Sequence, residues 1–427
     1  MKLFISRQFC SSVSKPQHFK LIIAGGGTGG ASTAHKFVKK FPKEQIAVIE
    51  PADNHYYQPM WTLVGAGLKN LDQSRIQMAE ALPKDLTWIK DYVLEFDPDS
   101  NSVIVKNGNK FTYDYLIVAM GMELKYESIP GLAEALKSDD RVASNYSIKT
   151  VHKTYNMFKN FTEGPAFFTF PNTPIKCAGA PQKVMYLFDD YLREKNLRKN
   201  AEIQYCTSLP AIFGIKKYAD KLTEICKSRD LQVNTRCNLI EVDPIKHVAT
   251  FENLDTKQKF KKEYNFLHVA PPMASYDVIK KSKLSDASGF VAVNKDTLQH
   301  DIYPNVFAIG DCSNLPTSKT AAAIASQQHV LYRNLNSVME GGPSNILKYD
   351  GYTSCPLITK HNKCILAEFG YDGKVLETFP IDQANESYSA FLMKAHFMPQ
   401  LYWHGLIRGR WNGPTMIRKM CHFGKTQ

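Results

Sequence analysis

The chain has 427 residues, enough for two or three domains with their own cores. Apolar residues make up 44% and charged residues 22%, as in an ordinary folded chain. No apolar run approaches the ~18–20 residues of a spanning helix, so membrane contact, if any, is from the surface. The net charge is +12, and part of the excess sits at the start.

That start, "MKLFISRQFCSSVSKPQHFK", carries Lys2, Arg7, Lys15 and Lys20, several serines and no acid; the first acid is Glu44. Basic, Ser-containing and acid-free is the composition of a mitochondrial transit segment, and residues 1–18 are read as one. The nine cysteines show neither CxxC nor Cys/His spacing of a zinc site, so no metal is expected. In a mitochondrial compartment a structural disulfide is not expected either, and any disulfide would be catalytic. No nucleic-acid partner is expected.

Residues 19–50 give the clearest organisation. "FKLIIAGGGTGGASTAHKFVKKFP" is a hydrophobic strand, a glycine turn and a helix, and "QIAVIEP" is a second strand. Gly25, Gly27 and Gly30 fit GxGxxG, with Thr28 and Gly29 inside it, and Glu50 ends the second strand. In such a unit the first glycine makes a tight turn, the second admits a pyrophosphate and the third lets helix and strand pack. The free N–H groups of the helix start face the phosphates, and the acid accepts bonds from a ribose. A dinucleotide is therefore expected here.

"HYYQPMWTLVGAG" follows, then several short strands ending in "YLIVAMG". Residues 150–270 repeat an α/β rhythm: "AFFTF", a helix, "AEIQYC", a helix, then "LQVNT", "NLIEV", "HVATFE" and "YNFLHVAPP". "YPNVFAIGDCSNLP" leads into a helix of small residues, "TAAAIASQQHVLYRNL". "DGYTSCPLITKHNKCILAEFG" reads as strands with turns. The acid-free tail, "AFLMKAHFMPQLYWHGLIRGRWNGPTMIRKMCHFG", combines apolar anchors with cations, as an interfacial helix does, although Gly and Pro interrupt its helical pattern.

"FAIGDCSNLP" resembles the second FAD motif of flavoproteins with two dinucleotide-binding domains. That resemblance implies FAD, with Asp311 on the ribityl chain or phosphate. It aims the helix start at Lys319–Ala322, including Ala321, toward the flavin ring. Relatives that use NADH carry a second GxGxxG in the inserted domain. Here the equivalent turn, "PNTPIKCAGAPQK", lacks it and holds Cys177 instead. A nicotinamide donor is therefore not expected. Cys177 precedes a helix start, where Gly179 suits the turn and Pro181 the first helical position, with Lys176 and Lys183 near in sequence. That setting lowers a thiol pKa. The alternative is a small buried apolar cysteine. As partner, Cys206 and Cys226 look like core, Cys237 sits in a strand connection, Cys312 adjoins the flavin motif, Cys364 lies in the strand after Cys355, and Cys421 is a further candidate. Cys355, in an exposed-looking turn, ranks first by a narrow margin.

"FPNTPIKCAGAPQKVMYL", "YPNVFAIGDCSNLPTSKTAAA", "DGYTSCPLIT" and "LYWHGLIRGRWNGP" together resemble the mitochondrial sulfide:quinone oxidoreductase family, from about residue 19 to the C-terminus. The resemblance implies an α/β fold with two Rossmann-like domains and a C-terminal region facing membrane and quinone. The implied division is 19–149 and 271–340 for FAD, 150–270 for the domain with Cys177, and 341–427 for the C-terminal domain. It implies that Cys177 and Cys355 are a redox-active pair holding a disulfide or trisulfide. It also implies FAD contacts at Glu50, Gln58, Val93 and Asp311. Hydrogen sulfide would leave a persulfide on Cys355. Its sulfur would pass to glutathione, sulfite or cyanide, and the electrons through FAD to ubiquinone. The implied place is the matrix face of the mitochondrial inner membrane. Two other readings stay open: an NADH:quinone oxidoreductase, and an inert membrane-peripheral flavoprotein.

Overall fold

The computed structural model describes residues 16–424. Most of the segment read as a targeting sequence lies outside the described residues; the first strand begins at Gln17, inside the boundary expected for that segment.

The strand Gln17–Ala24 is the middle of a seven-stranded sheet. Its run "FKLIIA" is apolar at nearly every position, the pattern of a parallel strand covered on both faces. It pairs in parallel with Ile46–Ile49 on one side and Lys110–Val118 on the other. Thr87–Ile89 extends one edge, and Val306–Ala308 returns from far along the chain to pair with Lys110–Val118. Ser102–Val105 and Val93–Asp97 add an antiparallel hairpin. The helix Thr28–Phe37 packs on the later helix Ala321–Met339. Ligands in such sheets bind beyond the carboxyl ends of the strands.

A second sheet is all parallel, in the order Val142–Ala143, Phe266–His268, Gly164–Phe170, Ala201–Thr207, Gln232–Asn234. An antiparallel trio, Cys237–Asp243, Val248–Asn253 and Lys259–Glu263, lies beside it. Cys237 is thus the first residue of a strand rather than part of a connection. The helix Ala180–Glu194 packs against the hairpin Thr353–Lys360 and Lys363–Phe369. Their apolar side chains share one core with the second sheet.

The tail is helical from Tyr388 to Leu406, passing through two wider π turns, Met393–Phe397 and Leu401–Leu406. Pro399 and Gly405 do not break it, because the π turns absorb the lost regularity. A short helix, Thr415–Cys421, follows. No described helix is long and apolar enough to cross a membrane.

Candidate functional site

The first strand runs into the glycine turn at its carboxyl end. Gly25 has φ +104°, a conformation that L side chains rarely adopt. A Cβ on Gly30 would collide with the Gly25 carbonyl oxygen, so only glycine lets the helix seat against the turn. Gly29 lies over Ile309. A Cβ on Gly27 would meet nothing within 4 Å. Open space therefore fronts a helix start that no side chain caps, and its first N–H groups are available to an anion. Glu50 accepts from the Gly26 N–H at 2.7 Å and the Ala52 N–H at 2.8 Å. Burial raises its pKa and these two bonds oppose the rise. The donors, the open cradle and the acid suit a dinucleotide.

Asp311 sits in the turn Gly310–Cys312, just after the strand Val306–Ala308. Burial raises its pKa against the pull of Lys319 and Lys176. Lys319 donates to the Ser313 carbonyl at 2.8 Å and precedes the helix rather than opening it. Thr320 is the N-cap, its hydroxyl accepting from the Ala323 N–H at 3.1 Å, and Ala321 is the first helical residue. A small cavity lined by Asp311, Lys319, Thr320 and Gln327 opens there. Gln58 is exposed at the start of the turn Gln58–Met60, and Val93 faces Val105 across the hairpin. Among the described residues, neither side chain hydrogen-bonds to the glycine turn.

Cys177 lies between the strand Gly164–Phe170 and the helix Ala180–Glu194. Its own φ is +51°, unusual for any residue but glycine. The conformation is held from three sides. Its N–H donates to the Lys319 carbonyl at 2.8 Å. Its carbonyl accepts from the Ala180 N–H at 2.9 Å and the Tyr146 hydroxyl at 3.2 Å. The cysteine turn is thereby stitched to the Asp311–Ala321 segment. The helix begins at Ala180, one residue before Pro181, with Gly179 as N-cap.

Cys355 is on the strand Thr353–Lys360 and only 2% exposed. The expected exposed turn is corrected here: Thr353–Lys360 pairs with Lys363–Phe369 and is covered by the helix after Cys177. The fold brings Cys177 and Cys355, both free thiols, close enough that each shifts the other's pKa. A Cβ on Gly179 would lie 2.5 Å from the Cys355 sulfur, so glycine is what lets the strand approach. Cys206, Cys226 and Cys312 are core, and the Cys312 thiol donates to the Val118 carbonyl at 3.3 Å. Cys364 is fully buried nearby, and burial pushes its thiol to about 12.

Two buried lysines supply charge. Lys183, one turn into the helix, donates to the Cys177 sulfur at 3.6 Å. Lys394 arrives from the tail and donates to the Pro59 carbonyl at 2.9 Å. The Cys355 hydrogen bond, together with Lys183 and Lys394, holds the Cys177 thiol well below its ordinary pKa despite burial. Its bond to Cys177, then burial, pushes Cys355 well above. Burial would lower the Lys183 pKa, but the sulfur charges overturn that and raise it. Burial, then repulsion from Lys183, lowers Lys394 to about 8. The arrangement thus prefers a Cys177 thiolate beside a protonated Cys355. Lys176, also near in sequence, faces Asp311.

Sequence reasoning missed Lys394, Tyr146 and the approach at Gly179. Lys394 sits in a tail that is cationic throughout, so nothing local marks it as a lysine that turns inward.

Residues 19–158 match the pyridine nucleotide-disulphide oxidoreductase family model. A mitochondrial sulfide:quinone oxidoreductase of Mus musculus is 50% identical over 95% of this chain and 90% of its own length. Among solved structures, a chain of the Tetrahymena thermophila mitochondrial ATP synthase superposes with TM-score 0.83 at 21% identity, over 96% of this chain and 100% of its own. The Aquifex aeolicus sulfide:quinone oxidoreductase does so with TM-score 0.79 at 18% identity, over 95% of both chains. These two likenesses show the shared fold. The identity to the mouse enzyme over nearly the whole length shows the family: the chain belongs to the mitochondrial sulfide:quinone oxidoreductases.

Proposed function

We propose that the protein oxidises hydrogen sulfide at Cys177 and Cys355 and sends the electrons through FAD to ubiquinone. The observation that carries this is the Cys355 sulfur packed against Gly179, two residues past Cys177, with Lys183 donating to the Cys177 sulfur at 3.6 Å. In the oxidised pair, hydrosulfide bonds to the Cys355 sulfur and breaks the bond to Cys177. Cys355 becomes a persulfide, and Cys177 leaves as a thiolate held by Lys183 and Lys394. A good leaving thiolate is what thiol–disulfide exchange needs. A small nucleophile (glutathione, sulfite or cyanide) then takes the outer sulfur and leaves a Cys355 thiolate. Closing the pair again releases two electrons, and bound FAD supplies their acceptor and their route to the quinone.

Gly25, Gly27, Thr28, Gly29, Gly30 and Glu50 would hold the adenosine and phosphates. Gln58, Val93, Asp311, Lys319 and Ala321 would complete the flavin site. The tail supports a peripheral seat on the mitochondrial inner membrane, matrix face. Met416, Ile417 and Met420 are exposed on the short helix Thr415–Cys421, and Phe423, 93% exposed, follows in the turn just past its end. Lys419 is exposed beside them, whereas Arg418 turns inward to Asp350; apolar anchors next to an exposed cation suit a lipid surface.

The test is rapid mixing of purified flavoprotein with sulfide. Flavin bleaching in the parent and its loss in Cys355→Ser are expected. A parent flavin that sulfide does not reduce ends this reading; bleaching by NADH instead would favour an NADH:quinone oxidoreductase.

A further inference from the structure

The tail reaches back to the dinucleotide turn. The Thr28 hydroxyl and the Tyr402 hydroxyl are 2.7 Å apart, and the Tyr402 hydroxyl is 2.7 Å from His55 Nε2. His55 Nδ1 is 3.2 Å from the Gly26 carbonyl oxygen. That last contact needs a proton on Nδ1, because a carbonyl only accepts. His55 Nε2 then accepts from Tyr402, and Tyr402 accepts from Thr28. The chain has one consistent direction with a neutral imidazole, and burial, which lowers the His55 pKa to about 4, keeps it neutral. His55 and Tyr402 are each 3% exposed, Thr28 is half-buried, and the Tyr402 ring packs at a tilt on Tyr57 with centroids 4.4 Å apart.

The same segment is fastened at two further points. Lys36, on the dinucleotide helix, donates to Asn412 Oδ1 at 2.8 Å. Gln328, on the helix after Asp311, donates to the Trp411 carbonyl. Residues 402–412 therefore bridge both helices whose starts face the proposed cofactor. Thr28 is the first residue of its helix, next to the open space at Gly27. Segments on either side of this bridge, 388–400 and 415–423, carry exposed apolar residues, Leu392, Phe397 and Met420 among them.

We infer that residues 402–412 are a latch that retains the cofactor, with Tyr402 as its positioning residue, and that a lipid surface tightens it. The inference rests on the FAD reading above. The physical basis is linkage. If a seated tail favours a bound cofactor, anything that favours the seated tail does so too. A bilayer that takes up the flanking apolar residues restrains the tail on both sides of the latch.

The test is the rate of FAD release, followed by the rise in flavin fluorescence, for the parent, Tyr402→Phe, Thr28→Val, Thr28→Ser and the Tyr402→Phe/Thr28→Val double variant. Losing one buried hydrogen bond and stranding its partners should speed release by roughly tenfold. Thr28→Val should do the same, the double variant should be no faster than either single one, and Thr28→Ser, which keeps the hydroxyl, should release FAD more slowly than Thr28→Val. Vesicles of phosphatidylcholine and phosphatidylglycerol should slow release from the parent more than from Tyr402→Phe. A parent that holds FAD while Tyr402→Phe holds it equally well overturns the latch alone. Fully additive effects overturn the shared bond chain, and equal slowing by vesicles overturns the membrane link. A parent that takes up no FAD overturns the cofactor reading itself.

Discussion

Gly179 is the most informative single position at the sulfur site. Its backbone, φ −84° and ψ −3°, is open to alanine, so Gly179→Ala adds no backbone strain. The new methyl would lie 2.5 Å from the Cys355 sulfur and 2.6 Å from Leu357 Cδ2. Ordinary contact between such atoms is about 3.5–4 Å, so the strand and the helix start must part by about 1 Å. Both neighbours are buried in one core, and overpacking there costs ~1–3 kcal/mol. The chemical cost is larger, because a misplacement of about 1 Å in a reacting group can cost roughly a hundredfold in rate. The assay is sulfide-dependent quinone reduction, paired with the rate at which the reduced pair reforms its disulfide. Both should fall by about two orders of magnitude while the protein stays folded. A Gly179→Ala protein as fast as the parent in both would refute the claim that this glycine sets the approach of the two sulfurs.

Three further outcomes are expected. Lys183→Met should raise the pH at which Cys177 becomes alkylated, and Lys394→Met should raise it less; unchanged alkylation profiles would remove both lysines from the thiolate's support. Gly27→Ala should leave the flavin-free fold intact yet lose FAD, whereas Gly30→Ala should destabilise the fold itself; normal flavin content in Gly27→Ala would sink the phosphate cradle. Burial lowers His55 to about 4 and His268 to about 3, so the folded chain refuses protons that the unfolded chain binds near 6.5. Stability should therefore fall as the pH drops through that window. The loss from His55 alone reaches about 3 kcal/mol below its folded pKa. Denaturant titrations from about pH 7 to pH 5 would show it, and His268→Gln should flatten the slope; a slope the variant leaves untouched contradicts the assignment.

The glycine turn was legible in the sequence because its requirements are local. A turn at Gly25, close packing at Gly30 and an approach at Gly27 all act within one strand–turn–helix unit, and short-range sterics decide them. The cysteine turn was half legible. Its helix start and the neighbouring Lys183, one helical turn away, follow from spacing. The left-handed backbone at Cys177 does not, because bonds to Lys319 and Tyr146 impose it from distant parts of the chain. Cys355 looked like part of an exposed turn among Thr, Ser and Pro, yet a hairpin partner and a covering helix bury it. By itself, then, the sequence determined the α/β units and the glycine turn, and its family resemblance supplied Cys177 and Cys355 as the expected sulfur pair. Only the tertiary structure decided that Gly179 lets the two sulfurs meet, that Lys394 turns inward among many tail cations, and that Tyr402 closes back on Thr28. Those choices depend on contacts between segments hundreds of residues apart, which local propensity and periodicity do not encode.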